Sequence, residues 1–239
     1  MTTVTGKRGE DAPFMCLAIE LATGVGSVAA CAGARTSSRE YPVDSTQSRD
    51  IYRGVHDVLE ELGLEPDALD CVAFGCGPGA FTGLRVAASV AQALAYGAGL
   101  PVARVSSLAA LAIAARRRHG ADCIVPCFDA RMGEAYLAVY NGALSGGAAP
   151  DGLHQTVPDC LVDPGSFRLS PDLAFFAAGP GWAVYPELAA NHAAQIVGSD
   201  HALVPSAVDV LALAAGDYRD DRTMAAAQAL PNYIRDKVT

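Results

Sequence analysis

Gly75-Cys76-Gly77-Pro78-Gly79-Ala80-Phe81-Thr82-Gly83-Leu84-Arg85 follows the strand-like run Cys71-Val72-Ala73-Phe74 and opens onto a long alanine-rich helix. Four glycines between positions 75 and 83 permit positive φ and close backbone approach, Pro78 fixes one φ, and the Thr82 hydroxyl is placed to cap the helix. Two readings of this turn stand side by side. Unpaired amides and the dipole at the helix start favour phosphate or carboxylate, which makes Gly77, Gly79, Thr82 and Gly83 a candidate anion-binding loop. Alternatively, the glycines serve only the packing of a tight strand-to-helix turn. The stretch lacks a Gly-Lys-Ser/Thr ending and the Gly-x-Gly-x-x-Gly spacing, so neither common nucleotide-binding motif is present.

The spacing predicts a helix over Thr82 to Tyr96. Ala87, Ala91 and Ala95 recur every four residues, and Ala88, Ser89 and Ala93 add small side chains, so a second helix can approach closely on more than one side. Such a helix is either sandwiched inside its own domain or covered by a partner. Upstream, Ile51, Val55, Val58, Leu59 and Leu62 recur at helical spacing, Ser48 is placed to cap and Gly63 to terminate. Tyr52, Arg53 and His56 lie off that apolar stripe.

Working outward, Phe14 to Ile19, Gly26 to Cys31 and Arg35 to Val43 read as a β-meander. Pro101 to Val105 reads as a strand, and Ser106 or Ser107 caps a helix ending in Arg116-Arg117-Arg118-His119-Gly120, where cations complement the helix dipole. The second half restarts with strands at Cys123 to Phe128 and Ala135 to Tyr140, a loop over Asn141 to Gly152, and strands near His154 to Val157 and Leu173 to Ala177. Helical patterns cover Trp182 to Ala194 and Ser206 to Ala215. Two similar α/β halves emerge, divided near residue 119: a polar extension over 1–13, then domains over 14–119 and 120–239.

Composition narrows the function classes. The 239 residues are 51% hydrophobic and 18% charged, enough for a substantial core. With 26 acidic against 17 basic side chains the net charge of -9 repels a nucleic-acid backbone. No apolar run reaches the roughly 20 residues of a membrane span, and the N-terminus lacks a secretory h-region, so a cytoplasmic protein is expected. Cys16, Cys31, Cys71, Cys76, Cys123, Cys127 and Cys160 include no Cys-x-x-Cys pair and read as reduced core thiols. Cys123 and Cys127 lie on one strand face without a second ligand pair. His56, His119, His154, His192 and His201 form no His-x-x-x-His or His-Glu-x-x-His arrangement, so no metal site can be assembled from sequence.

Taken in order, Leu17-Ala18-Ile19-Glu20, the loop Gly77 to Arg85, Val105-Ser106-Ser107-Leu108, Asp129-Ala130-Arg131-Met132-Gly133-Glu134-Ala135-Tyr136 and Pro231-Asn232-Tyr233-Ile234-Arg235 resemble the bacterial TsaB (YeaZ) family. The match runs from about Met15 to Arg235. The resemblance implies an α/β chain of two actin-like ATPase-type (ribonuclease H-like) domains, mixed sheets flanked by helices. It also implies a non-catalytic role, without a cofactor or metal, in making N6-threonylcarbamoyladenosine at position 37 of tRNAs that read codons starting with A. Its implied partners are TsaD, which transfers threonylcarbamoyl from threonylcarbamoyl-adenylate, and the ATPase TsaE; tRNA is met through the complex, and the isolated chain can close as a homodimer. The chain departs from the family pattern at Glu20, usually Asp, and at Asp44-Ser45-Thr46-Gln47, which replaces a segment that often carries histidine. Against this background Tyr52, Arg53, His56, Arg85, Ala88, Ser89, Ala91, Gln92 and Ala95 are the candidate partner interface. The rival readings are a glycoprotease-like peptidase and a stand-alone sugar-kinase-like ATPase.

Overall fold

The computed structural model describes residues 12–42, 47–142 and 152–235, with backbone alone at 47–49. The expected extension up to residue 11, Asp44-Ser45-Thr46, the Ser48 cap and most of the 141–152 loop lie outside the described side chains.

The first five strands are β1 (Met15–Glu20), β2 (Val25–Ala32), β3 (Arg35–Pro42), β4 (Cys71–Gly77) and β5 (Val102–Ser106), which form one sheet in the order β3-β2-β1-β4-β5. β1 and β2 pair antiparallel with Cys16 opposite Cys31, and β1 and β4 pair parallel with Cys16 opposite Cys71. β6 (Cys123–Asp129), β7 (Ala135–Asn141), β8 (His154–Val162), β9 (Phe175–Ala178) and β10 (Ile196–Asp200) form the second sheet in the order β10-β9-β6-β7-β8. Each sheet is thus an antiparallel meander extended by two parallel strands beside its first strand.

Helices α1 (Gln47–Leu62) and α2 (Phe81–Ala98) cover one face of the first sheet. Ile51, Val55, Val58, Leu59 and Leu62 of α1 are all buried there, as their spacing requires, and Gly63 ends the helix at φ +67. Helix α3 (Ser107–His119) starts at Ser106, whose hydroxyl accepts from the Ala109 amide at 3.2 Å, and stops at left-handed Gly120.

The helices cross between the halves. α3 buries Leu108, Leu111 and Ile113 against the second sheet, while α6 (Ala207–Arg219) returns to bury Ala207, Val210, Leu211 and Ala214 against the first. The basic residues ending α3 join the crossing: Arg117 pairs with Asp209 of α6 at 2.9 Å, and the His119 ring lies 2.9 Å from the Asp200 carboxylate of β10. A division at residue 119 separates the two sheets but cuts through this helix exchange.

Three boundaries differ from expectation. The pattern over 182–194 is broken into α4 (Gly181–Val184) and α5 (Pro186–Asn191), because Pro186 cannot continue a preceding helix. β8 runs on to Val162 through Pro158, which an edge strand tolerates, and its register shifts against β7 there. β10 is a strand that the sequence patterns leave out: Ile196-Val197-Gly198-Ser199-Asp200 does not alternate apolar with polar residues, although half-buried and exposed positions alternate along it at the sheet edge. All seven cysteines are free. Burial pushes the Cys31 and Cys76 thiols up to about 11, so they stay protonated core groups at neutral pH.

Candidate partner interface

The glycine turn between β4 and α2 is closed by its neighbours. A Cβ on Gly79 would lie 2.5 Å from the Ala22 carbonyl oxygen, and one on Gly83 would lie 2.0 Å from that of Leu21. Gly77 is held at φ +100, and its added Cβ would strike the Leu84 side chain at 2.7 Å. The Ala80 amide donates to the Ala22 carbonyl at 2.8 Å. The link between β1 and β2 therefore lies against the turn and takes one of the amides that an anion needs, which supports the packing reading of Gly77, Gly79 and Gly83. Thr82 is not the cap: Ala80 occupies that position, and the helix start has no side-chain cap.

Glu20 explains the remaining glycine. Its carboxylate is fully buried, and an added Cβ on Gly75 would lie 1.9 Å from Oε2. The Ala22 amide donates to Oε1 at 2.7 Å and the Ser107 hydroxyl to Oε2 at 2.9 Å. Desolvation outweighs these bonds and raises Glu20 from 4.5 to about 7. Asp129 ends the first strand of the second sheet as Glu20 ends that of the first. It accepts from the amide two residues on, Arg131, at 2.7 Å and from the Tyr185 hydroxyl at 2.6 Å.

Helix α2 has two distinct faces. Leu84, Ala87, Ala88, Ala91 and Ala95 lie on the sheet side and are buried in the chain's own core, Ala91 and Ala95 completely. The expectation that Ala88, Ala91 and Ala95 meet a partner is thereby corrected: their small size lets α2 approach its own sheet. Arg85, Ser89, Ala93 and Gly97 form the outward row, Gln92 is half-buried beside it, and Phe81 and Tyr96 stand exposed at its ends.

Tyr52, Arg53 and His56 lie on the exposed side of α1, as expected. There Arg53 stands 4.0 Å from Asp57, and His56 stands 3.8 Å from Glu60. Between α1 and α2 runs a groove of about 460 Å³ lined by Tyr52, Phe81, Thr82, Arg85, Val86, Ser89 and Val90. The Arg85 guanidinium lies over the Phe81 ring at 3.9 Å and donates through Nε to the Tyr233 hydroxyl at 3.2 Å.

Tyr233 arrives from the other end of the chain. The Asn232 amide donates to the Cys76 carbonyl at 2.7 Å, the Tyr233 ring stands 6.0 Å from Phe81, and Arg235 reaches Met132 Sδ at 3.0 Å and pairs with Glu134. The segment 231–235 is thus a strap from α2 to the β6–β7 turn, where Arg131 and Met132 adopt positive φ. The motif Pro231 to Arg235 is visible in sequence, but nothing local indicates where it docks. The sequence patterns also leave out Phe81, Val86 and Tyr96, although a helical wheel extended by one residue at its start places Phe81 on the Arg85 side.

Among the described residues no group of three or more His, Cys, Asp or Glu side chains is placed to hold a metal ion. His192 is buried between the Leu188 carbonyl and the Leu169 amide, and His119 lies 2.9 Å from the Asp200 carboxylate, so these histidines serve packing and hydrogen bonding. Cys123 and Cys127 pack on one face of the second sheet without further ligands. No described helix is long and apolar enough to cross a membrane.

Residues 44–238 match the family model described as TsaD: tRNA N6-adenosine threonylcarbamoyltransferase. The chain is 36% identical over 228 residues to the tRNA threonylcarbamoyladenosine biosynthesis protein TsaB of Haemophilus influenzae, covering 93% of this chain and 94% of the relative. It is 31% identical to the protein of the same name from Escherichia coli, over 93% and 95% of the two chains. The solved structure of YeaZ from Pseudomonas aeruginosa superimposes with a TM-score of 0.80 at 32% identity, covering 92% of this chain and 99% of that one. The family model matches most of the chain, the two relatives and the superimposed structure match more than nine-tenths of it, and the chain belongs to the TsaB (YeaZ) branch of the TsaD-type family, with its actin-like ATPase-type fold.

Proposed function

We propose that this chain docks on the TsaD transferase through the outer faces of α1 and α2 and supports it in that position. As a TsaB-family protein the chain is a non-catalytic partner in forming N6-threonylcarbamoyladenosine at position 37 of tRNA. The observation that carries the docking reading is the surface around the groove. Tyr52 is 52% and Phe81 51% exposed where they line it, and Tyr96 is 84% exposed at the far end of α2, on helices whose opposite sides are engaged with their own sheet. Large exposed aromatics grouped on two neighbouring helices mark an interaction site more often than a bare surface. The outward row Arg85, Ser89, Ala93 and Gly97 is small enough between its ends for another helix to lie close.

In this reading Tyr52, Arg53, His56, Arg85, Ser89 and Gln92 belong to the docking face, and TsaE joins the assembly of the two. The net charge of -9 favours the transferase over this chain as the main contact for tRNA. Support of the transferase requires preferential binding to its competent state. The test is reconstitution with tRNA, threonylcarbamoyl-adenylate and the cognate TsaD and TsaE, with and without this chain. The modified adenosine is expected to fall when the chain is omitted; an unchanged yield removes the assignment.

A further inference from the structure

Met132 stands in an unusual place for a methionine. It is the middle of three consecutive residues in the left-handed region, between Arg131 at φ +63 and Gly133 at φ +78, with its own φ at +58, and it is 67% exposed. Met15 and Met224, by contrast, are partly buried against the core of the first half. Within the turn, Asp129 accepts from the Arg131 amide at 2.7 Å. The remaining support comes from the far end of the chain. Arg235 donates through Nη1 to the Met132 thioether at 3.0 Å and through Nη2 to the Arg131 carbonyl at 3.4 Å, and it pairs with Glu134. At its other end the strap is pinned to β4, where the Asn232 amide donates to the Cys76 carbonyl at 2.7 Å. A thioether sulfur thus lies in a joint between the two halves.

A thioether is a weak acceptor, and exposure leaves this one open to a small oxidant. With a peroxide, a sulfur lone pair takes one oxygen, the O–O bond breaks, the sulfur is oxidised by two electrons and the other oxygen leaves as water. In the sulfoxide the sulfur carries a partial positive charge and the new oxygen the negative one. An oxygen added on the Arg235 side fills the present contact. Added on the other side, it leaves a positive sulfur facing a guanidinium. In both epimers the existing seat of Arg235 is lost. The thiols do not compete for the oxidant: five of the seven cysteines are buried, and desolvation raises the other two, Cys123 and Cys160, away from the reactive thiolate.

We infer that Met132 is a site of oxidation by peroxide, and that its sulfoxide releases Arg235 and with it the strap that joins the two halves. The release is reversible, because methionine sulfoxide reductases return the sulfoxide to the thioether. The joint is internal to the chain and does not depend on what docks on α1 and α2.

The experiment treats the full-length chain with hydrogen peroxide, reads oxygen uptake by peptide mass spectrometry, and follows hydrogen exchange of the Asn232 amide by NMR. Met132 should be converted at least about tenfold faster than Met15 or Met224. Once it is converted, the Asn232 amide should exchange at least about tenfold faster, and reductases for both epimers should restore the slow rate. Met132→Leu keeps an apolar side chain without an oxidisable sulfur, so peroxide should not accelerate its exchange. Arg235→Ala should exchange fast at Asn232 before any peroxide and gain nothing from it. Oxidation of Met15 or Met224 as fast as Met132 overturns the proposal, as does unchanged exchange at Asn232 in a chain whose Met132 is fully converted. Acceleration by peroxide in Met132→Leu, or slow exchange in untreated Arg235→Ala, would show that the strap is not held through this contact. The Met132→Leu comparison decides alone if Arg235→Ala fails to fold.

Discussion

In the first sheet β4 leads through Gly77-Pro78-Gly79 into an 18-residue helix, whereas in the second β9 leads through Gly179-Pro180-Gly181 into a four-residue helix, a break and six residues more. The strand order is the same, and the turn presses on the first strand or its exit in both. Added Cβ atoms at Gly79 and Gly83 meet the Ala22 and Leu21 backbone, while those at Gly179 and Gly181 would meet the Cys127 carbonyl at 2.8 and 2.9 Å. Beyond the turn the two halves diverge. Trp182 turns inward and donates to the Val125 carbonyl at 2.9 Å, and Pro186 interrupts the helix, so this half buries its residues locally. α2 instead has a run of small residues facing its sheet and no breaker, so it extends far enough to present an outer row. One turn thus serves a core plug in one half and the base of the proposed docking face in the other.

The two faces of α2 can be separated by which property a substitution removes, stability or binding. Ala91→Glu places a carboxylate in the core and is expected to cost about 4 kcal/mol or more of stability. Ser89→Glu, two residues away on the outward row, should change stability by no more than about 0.5 kcal/mol while weakening the transferase complex at least tenfold. Urea unfolding and a binding titration on both variants check the pair. An Ala91→Glu protein as stable as the wild type would mean that the faces are assigned the wrong way round.

The paired carboxylates give the next largest effect. Glu20 titrates near 7 in the folded chain against an ordinary 4.5. Between those values the native state keeps a proton that the unfolded chain has lost. Stability from this group is fully present below about pH 4.5 and declines as pH rises through 7, by roughly 3 kcal/mol at about 1.4 kcal/mol per pKa unit. Glu20→Gln, neutral throughout, should therefore flatten that decline and exceed the wild type in stability at pH 8. Asp129→Asn, at the equivalent place in the second sheet, weakens the bonds from Arg131 and Tyr185 and should cost about 1 kcal/mol. Denaturant unfolding at pH 5 and 8 decides this; a wild type no less stable at pH 8 than Glu20→Gln refutes the buried-acid account.

The turns themselves are expected to respond alike. Gly83→Ala and Gly181→Ala both drive a methyl into backbone and should each cost about 2 kcal/mol. A loss confined to one of them would break the equivalence of the two halves.

Much of this architecture is legible in the sequence because it is written in local patterns. The α1 stripe, the Ser106 cap and the Gly120 stop are each set by residues within a turn or two. The features that escape such a reading depend on contacts between distant segments. The four-residue spacing of Ala87, Ala91 and Ala95 identifies a close-packing face but carries no sign of whether a sheet or a partner fills it. The exchange of α3 and α6 between sheets, and the arrival of Tyr233 beside Arg85 across 148 positions, are properties of topology that no local pattern encodes. Pro158 inside β8 reads as a stop until its edge position is known.

The smallest effect concerns how far the outward row extends. Gly97 lies in the last turn of α2, and a Cβ added there meets nothing within 4 Å. Replacing a helical glycine with alanine removes backbone freedom from the unfolded chain, so Gly97→Ala should raise stability by about 0.5–1 kcal/mol. The same methyl thickens the row Arg85, Ser89, Ala93 and Gly97 at the end next to Tyr96. If a partner helix lies along the whole row, Gly97→Ala weakens the complex while stabilising the free chain, an opposition that a purely structural glycine does not produce. Affinity that stays unchanged as stability rises would confine docking to the Phe81 and Arg85 end, where the groove and the strap meet.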